Sequence, residues 1–147
     1  MSLKVRLKEQ QILAMKAKEK LRLGTIRSVI AAVKQIEIDK RIELDDDAVT
    51  AVVIKSVKQR KDSIAQFEKA ERFDLSEIEK AELAILQEFL PQPLTTDEVT
   101  ALIEQAIAST GASAMQDMGK VMGKLKNEMA GRADMGEVSK IIRAKLA

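Results

Sequence analysis

The residues with the clearest chemical pattern lie between Gly119 and Arg132. Gly119 and Gly123 stand four apart, and Lys120, Lys124, Lys126, Asn127 and Arg132 fall around them, with Gln116 just ahead. Residues three or four apart share one side of a helix, so this spacing sets positive charge and amide donors beside a strip stripped of side chains. Each glycine weakens a helix by about 1 kcal/mol relative to alanine, a cost that asks for a local reason such as the close approach of another molecule. Lysine and arginine neutralise phosphates, and a bare helix surface lets a backbone come near. The chemistry implied is the binding of a polyanion by charge and shape, with Gly119, Lys120, Gly123, Lys124, Lys126, Asn127 and Arg132 as its contacts. No catalytic residue, cofactor or metal ligand is expected.

These residues need a helix to hold them. Met115, Met118, Met122, Leu125 and Met129 step by three and four, which predicts one apolar seam as the helix's inner face. The same methionines could instead meet a partner protein, because the side chain adapts to irregular surfaces. Ser113 is placed to cap this helix and Gly131 to stop it, and Asp134 with Glu137 has the spacing of a capping box for a last helix through Val138, Ile141, Ile142 and Leu146. Upstream, Thr95 with Glu98 opens a helix through Val99, Leu102, Ile103, Ala106 and Ile107, which Gly111 ends. Each of the three helices is too short to be stable alone, so they must pack as a unit.

Before that unit stand Pro91 and Pro93, one residue apart, which forbid helix and hold the chain extended. They divide the sequence into a helical N-terminal domain, 1–90, and a three-helix domain, 94–147, joined by 91–93. In the first part, Ser2 caps a helix whose apolar positions are Leu3, Leu7, Ile12 or Leu13, and Met15 or Ala14. A corner at Lys16 to Lys20 precedes a longer helix through Leu23, Ile26, Ile30 and Val33, ending near Arg41, with Arg22, Arg27 and Lys34 on its polar face. Asp45, Asp46 and Asp47 supply the cap and acidic first turn of a third helix; consecutive aspartates point apart and lack the spacing of a calcium loop. That helix carries Val49, Val53, Val57, Ile64 and Phe67, with Arg60 where an apolar residue belongs. An inward arginine needs a carboxylate, for which Asp62, Glu68 and Glu82 are candidates. A corner at Phe73 to Ser76, with Asp74 or Ser76 as cap, opens a fourth helix through Leu75, Ile78, Ala81, Ile85, Leu86 and Phe89.

Composition agrees with an all-α fold: helix-forming residues dominate, and the 147 residues include only three aromatics, Phe67, Phe73 and Phe89. With no cysteine and no histidine, thiolate nucleophiles, disulfides, Cys/His zinc sites and imidazole acid–base catalysis fall away. The first ten residues have no apolar core of a signal peptide, and no apolar run reaches the roughly 20 residues of a membrane span, so a soluble cytoplasmic protein is expected. The net charge of +2 is unevenly spread: up to Leu44 there are 11 basic residues against 5 acidic, and beyond Ser113 all the basic residues of the last part gather. Two basic surfaces suit a polyanion better than a small metabolite.

Over nearly its whole length the chain resembles the GatB/YqeY family, and in particular its small stand-alone YqeY-like members. The resemblance rests on KQRKDSIAQFEKAERFDL (Lys58 to Leu75), EFLPQPLT (Glu88 to Thr95), GASAMQDMGKVMGKLKNEMAGRAD (Gly111 to Asp134) and the closing helix through Ile141 and Ile142. It implies an all-α fold with a larger N-terminal and a smaller three-helix C-terminal domain. The C-terminal module is similar to the tail of the B subunit of the tRNA-dependent amidotransferase, thought to contact the tRNA elbow, and related forms are appended to some glutaminyl-tRNA synthetases. By that resemblance DMGKVMG at Asp117 to Gly123 and GRAD at Gly131 to Asp134 belong to a tRNA-facing part, although KLKNEMA between them lacks the proline often found there. The partners implied are tRNA and, for an adaptor, an aminoacyl-tRNA synthetase or amidotransferase subunit. The family also carries the label of a carbon-nitrogen ligase with glutamine as amido-N-donor. Amide transfer needs a nucleophile, an ammonia path and an ATP site; with no cysteine and no phosphate-cradling glycine loop, the chain by itself is not expected to supply them.

Overall fold

The computed structural model describes residues 2–147, and among them there are seven helices and no strand. The all-α expectation holds. The chain divides into two compact units, Met1–Leu90 and Pro91–Ala147.

In the first unit, α1 (Leu3–Lys16) and α2 (Lys20–Lys40) form one hairpin and α3 (Asp46–Lys69) and α4 (Phe73–Gln87) a second. The Ser2 hydroxyl accepts from the N–H of Val5 at 3.2 Å, and Asp45 caps α3 by accepting from Ala48 at 2.9 Å. The neighbouring Asp46 carboxylate accepts the free N–H of Leu3 at 3.0 Å, tying the start of α1 to the start of α3. The core gathers Leu7, Ile26, Val29, Val49, Val53 and Leu86. On α1 the buried positions are Leu3, Leu7 and Ala14, whereas Ile12, Leu13 and Met15 are exposed. Of the alternatives expected on α1, Ala14 faces inward and its larger neighbours Ile12, Leu13 and Met15 do not, because Ala14 continues the turn-by-turn stripe from Leu3 and Leu7.

Along α3 the tight apolar stripe ends at Val57. Arg60 follows, half-buried, with Nε 2.7 Å from Glu82 and 3.4 Å from Glu79. Of the foreseen partners Glu82 is the one used, and Glu79 was not foreseen. Ile78 and Ala81 face solvent, contrary to expectation, because the inner stripe of α4 runs through Leu75, Glu79, Glu82, Leu83 and Leu86. Two carboxylates thus occupy the stripe where they meet Arg60. Neither Asp74 nor Ser76 caps α4: the helix already begins at Phe73, so both lie inside its first turn. Asp74 pairs with Arg72 at 3.2 Å, and the buried Ser76 hydroxyl donates to the carbonyl of Phe73.

Arg22 is not part of a free polar face. Its guanidinium donates to Glu88 at 2.7 Å and to Gln10 at 2.9 Å, joining α1, α2 and the end of α4. Arg6 donates to the carbonyl of Glu88 and lies 5.2 Å from the centre of the Phe89 ring.

In the second unit α5 (Thr96–Thr110), α6 (Met118–Met129) and α7 (Met135–Leu146) close on one another around Ile103, Val121, Leu125, Met129, Val138 and Ile142. Thr95 and Glu98 form the predicted capping box, with both hydrogen bonds present. Gly111 ends α5 with φ +67, and Gly131 follows α6 with φ +73, a left-handed backbone that glycine adopts without a Cβ clash. Asp134 caps α7 by accepting from Gly136 at 2.8 Å, while Glu137 pairs with Lys140 instead of closing a box.

Candidate nucleic-acid interface

The start of α6 is built differently from the simple cap expected at Ser113. A 3-10 turn, Met115–Asp117, comes first, and the Asp117 carboxylate reaches back to accept from the N–H groups of Ser113 at 3.0 Å and Ala114 at 3.3 Å. These two donors, the first the stronger, together with the positive charge of Lys120, hold Asp117 below the usual carboxylate range. Gln116 and Met115 therefore precede α6 and do not extend its faces. Met115 is exposed, and the buried stripe of α6 is Val121, Leu125 and Met129, with Met118 and Met122 half-buried at its edge. The spacing of the methionines hid Val121, which completes the i, i+4, i+8 row.

With that stripe inward, Gly119, Lys120, Gly123 and Asn127 occupy the outward side of α6, and all four are exposed. Neither glycine serves internal packing: a Cβ added at either would meet no atom within 4 Å. Their backbone is also ordinary helix, unlike that of Gly111 and Gly131. Lys126 stands at the edge nearer Gly119, one turn beyond Met122. Lys124 stands at the opposite edge, where its ammonium meets the hydroxyl of Ser109 on α5. A hollow of about 100 Å³ lies there between α5 and α6, lined by Gln105, Ser109, Lys124 and Glu128 among others.

Arg132 is set apart from the helix. It is half-buried in the α6–α7 loop, where its Nε donates to the carbonyl of Gln92 at 3.0 Å and its own carbonyl accepts from the N–H of Leu94 at 2.8 Å. The terminal nitrogens of its guanidinium have no partner among the described residues. The seven residues singled out from sequence thus fall into a bare centre of Gly119, Lys120, Gly123 and Asn127, two flanking lysines, and one arginine anchored in the loop beyond. Asp117 and Ser109, which fix the helix start and Lys124, were missed; an aspartate four residues after Ser113 was the available signal for the first.

Among the described residues no three acidic side chains converge as a metal site would need, and no helix is long and apolar enough to cross a membrane. The arrangement can offer phosphate-neutralising charge and close approach to a helix backbone.

The family described as Yqey-like protein matches residues 4–146 of the chain. Among known proteins, the chain is similar to "Altered inheritance of mitochondria protein 41, mitochondrial" of Kluyveromyces lactis, with 39% identity over 124 residues, 81% of this chain and 66% of that protein. The protein of the same name from Pyrenophora tritici-repentis is 32% identical over 133 residues, covering 88% of this chain and 73% of its own length. For the namesake from Lachancea thermotolerans the figures are 42% over 80 residues, 54% and 43%. The chain thus spans less than two thirds of the length of the Kluyveromyces and Lachancea relatives.

Proposed function

The chain belongs to the YqeY-like family from residue 4 to residue 146, and on that premise we propose that it is a tRNA-binding accessory module that recognises RNA by shape and does no chemistry of its own. One observation carries the reading. Gly119 and Gly123 weaken the exposed side of a helix, and no described residue of their own unit comes near enough to require them. A ligand backbone laid against α6 gives them a purpose, and Lys120, Lys124, Lys126 and Arg132 supply the charge that a phosphate chain demands, with Asn127 as a neutral donor. All three aromatic residues precede Pro91, so the C-terminal unit has no ring on which a base could stack. Phosphate and shape contacts are what remain.

This reading asks only for a compartment that contains tRNA, which the expected cytoplasm and the mitochondrion in the relatives' names both are. Fluorescence titration with tRNA at several salt concentrations tests it: affinity should fall steeply with salt. A Lys120→Glu, Lys124→Glu double variant should keep its melting temperature and reduce the salt slope by about 2, one for each lost phosphate contact. No binding by the wild-type chain at low salt sinks the proposal. A stoichiometric protein recovered from nuclease-treated extract, with RNA binding absent, would favour an adaptor for a synthetase or amidotransferase subunit instead. Product from the purified chain given mischarged tRNA, glutamine and ATP would restore the ligase label.

A further inference from the structure

A third helical glycine lies in the other unit and has the same unexplained character. Gly24 is exposed in the second turn of α2, and a Cβ there would meet nothing within 4 Å. It sits among cations. Lys20, Arg27 and Lys34 are seven residues apart, so they return to one side of α2 every two turns, about 10 Å apart along the axis. All three are exposed, and none has an ion-pair partner among the described residues, whereas Lys4 and Arg22 of the same basic end are held by Glu37 and Glu88. From Lys20 to Ile36 the sequence contains no acidic residue.

Beside this row lies a hollow of about 200 Å³ whose walls include Lys20, Gly24, Ser28, Arg60 and Glu82. Glu82 in its wall accepts from the Nε of Arg60 at 2.7 Å and Glu79 stands 3.4 Å from the same nitrogen, so the two acids fix the guanidinium, whose terminal nitrogens have no partner among the described residues. Resting on the RNA reading given above, we infer that the exposed side of α2 from Lys20 through Gly24 and Arg27 to Lys34 is a second contact surface for an RNA backbone. The hollow at Gly24 receives a phosphate group, and the cation row tracks the strand. A protein partner fits this side less well, since such interfaces are centred on large apolar or aromatic anchors and this one offers glycine, serine and alanine between its cations, with the exposed Leu21 and Ile38 only at its two ends. A membrane surface would likewise require apolar residues to insert.

The test uses the full chain and fluorescein-labelled tRNA over a salt series, with thermal melts as a folding control. Arg27→Glu with Lys34→Glu should leave the melt unchanged and lower the salt slope by about 2. Gly24→Leu should weaken binding at every salt concentration without changing the slope, because it adds bulk and removes no charge. Leucine is also the better helix former, so the melt should not fall. If both variants bind as wild type while Lys120→Glu, Lys124→Glu changes the slope, this inference is overturned and the role of α6 stands. If wild-type protein binds no tRNA, both fall together. Equal binding of double-stranded DNA of the same length, equally reduced by the variants, would overturn the assignment to RNA.

Discussion

Replacing Gly119 and Gly123 by alanine should make the C-terminal unit more stable and bind RNA less well. Gly123 is the sixth residue of α6 and Gly119 the second. At the interior position alanine gains about 1 kcal/mol over glycine, and in the first turn, where fewer backbone groups are committed to the helix, about half of that. No clash subtracts from the gain, since neither new methyl group would meet an atom within 4 Å. The sum is about 1.5 kcal/mol. In a unit of 57 residues, Pro91–Ala147, each kcal/mol moves the midpoint by about 4–8 °C, so the double variant should melt about 6–12 °C higher than wild type. Calorimetry of the full chain, with hydrogen exchange of the α6 amides to assign the change to that unit, gives the measurement. Titration with tRNA on the same sample then asks for the functional cost. An unchanged or lower midpoint would show that the glycines serve the fold itself. A higher midpoint with undiminished RNA binding would remove the ligand as their reason.

Three further outcomes are expected. Arg60→Ala leaves Glu79 and Glu82 facing one another with side chains only 23% and 20% exposed; this should destabilise the first unit by about 1–2 kcal/mol in denaturant titration, between the values for surface and buried pairs. Thr95→Ala removes the side-chain half of the α5 capping box and should cost about 1 kcal/mol, which chemical denaturation would detect. Glu37 accepts from Lys4 at 2.6 Å and from the N–H of Leu44 at 2.8 Å. The Lys4 bond first and the Leu44 bond second hold its carboxyl below the ordinary range. A lowered folded value means that its contribution is present above the ordinary glutamate value of about 4 and is lost as pH falls through the folded value. Lys4 is raised by the same bond, so its share is present below the ordinary lysine value and is lost as pH rises through its folded one. Glu37→Gln should flatten the acid limb of a melting-temperature profile; an unaltered limb would count against the pair.

The helices were legible because their punctuation is local. Ser2, Asp45, Thr95, Gly111 and Gly131 act on backbone groups within four residues, and Pro91 and Pro93 need no partner to forbid helix. What stayed hidden depends on rotation about a helix axis. Methionine spacing drew attention away from Val121, and Ile78 masked the stripe on which Glu79 and Glu82 lie. A small residue such as Ala14 gives no hydrophobic signal in proportion to its burial. Candidate site residues were found from type and spacing, but which of them are spoken for could not be read: Lys124 leans on Ser109, Arg132 is anchored at Gln92, and Arg22 closes a three-helix junction. Long-range partners 15, 40 and 66 residues away decide each case.

The corners of the first unit turn on charged residues: Lys18, Arg41 and Glu71 adopt φ of +59, +54 and +58. In the second unit Gly111 and Gly131 make the equivalent bends. A side chain in this conformation costs about 1–2 kcal/mol through crowding of its Cβ against the neighbouring carbonyl. The two halves therefore differ in their headroom for improvement. The first holds a reserve that glycine, which has no Cβ, would release at its three corners without touching its core, its ion pairs or the exposed side of α2. An engineer wanting a hardier version of this chain would begin there, at the bends, and leave the helices as they are.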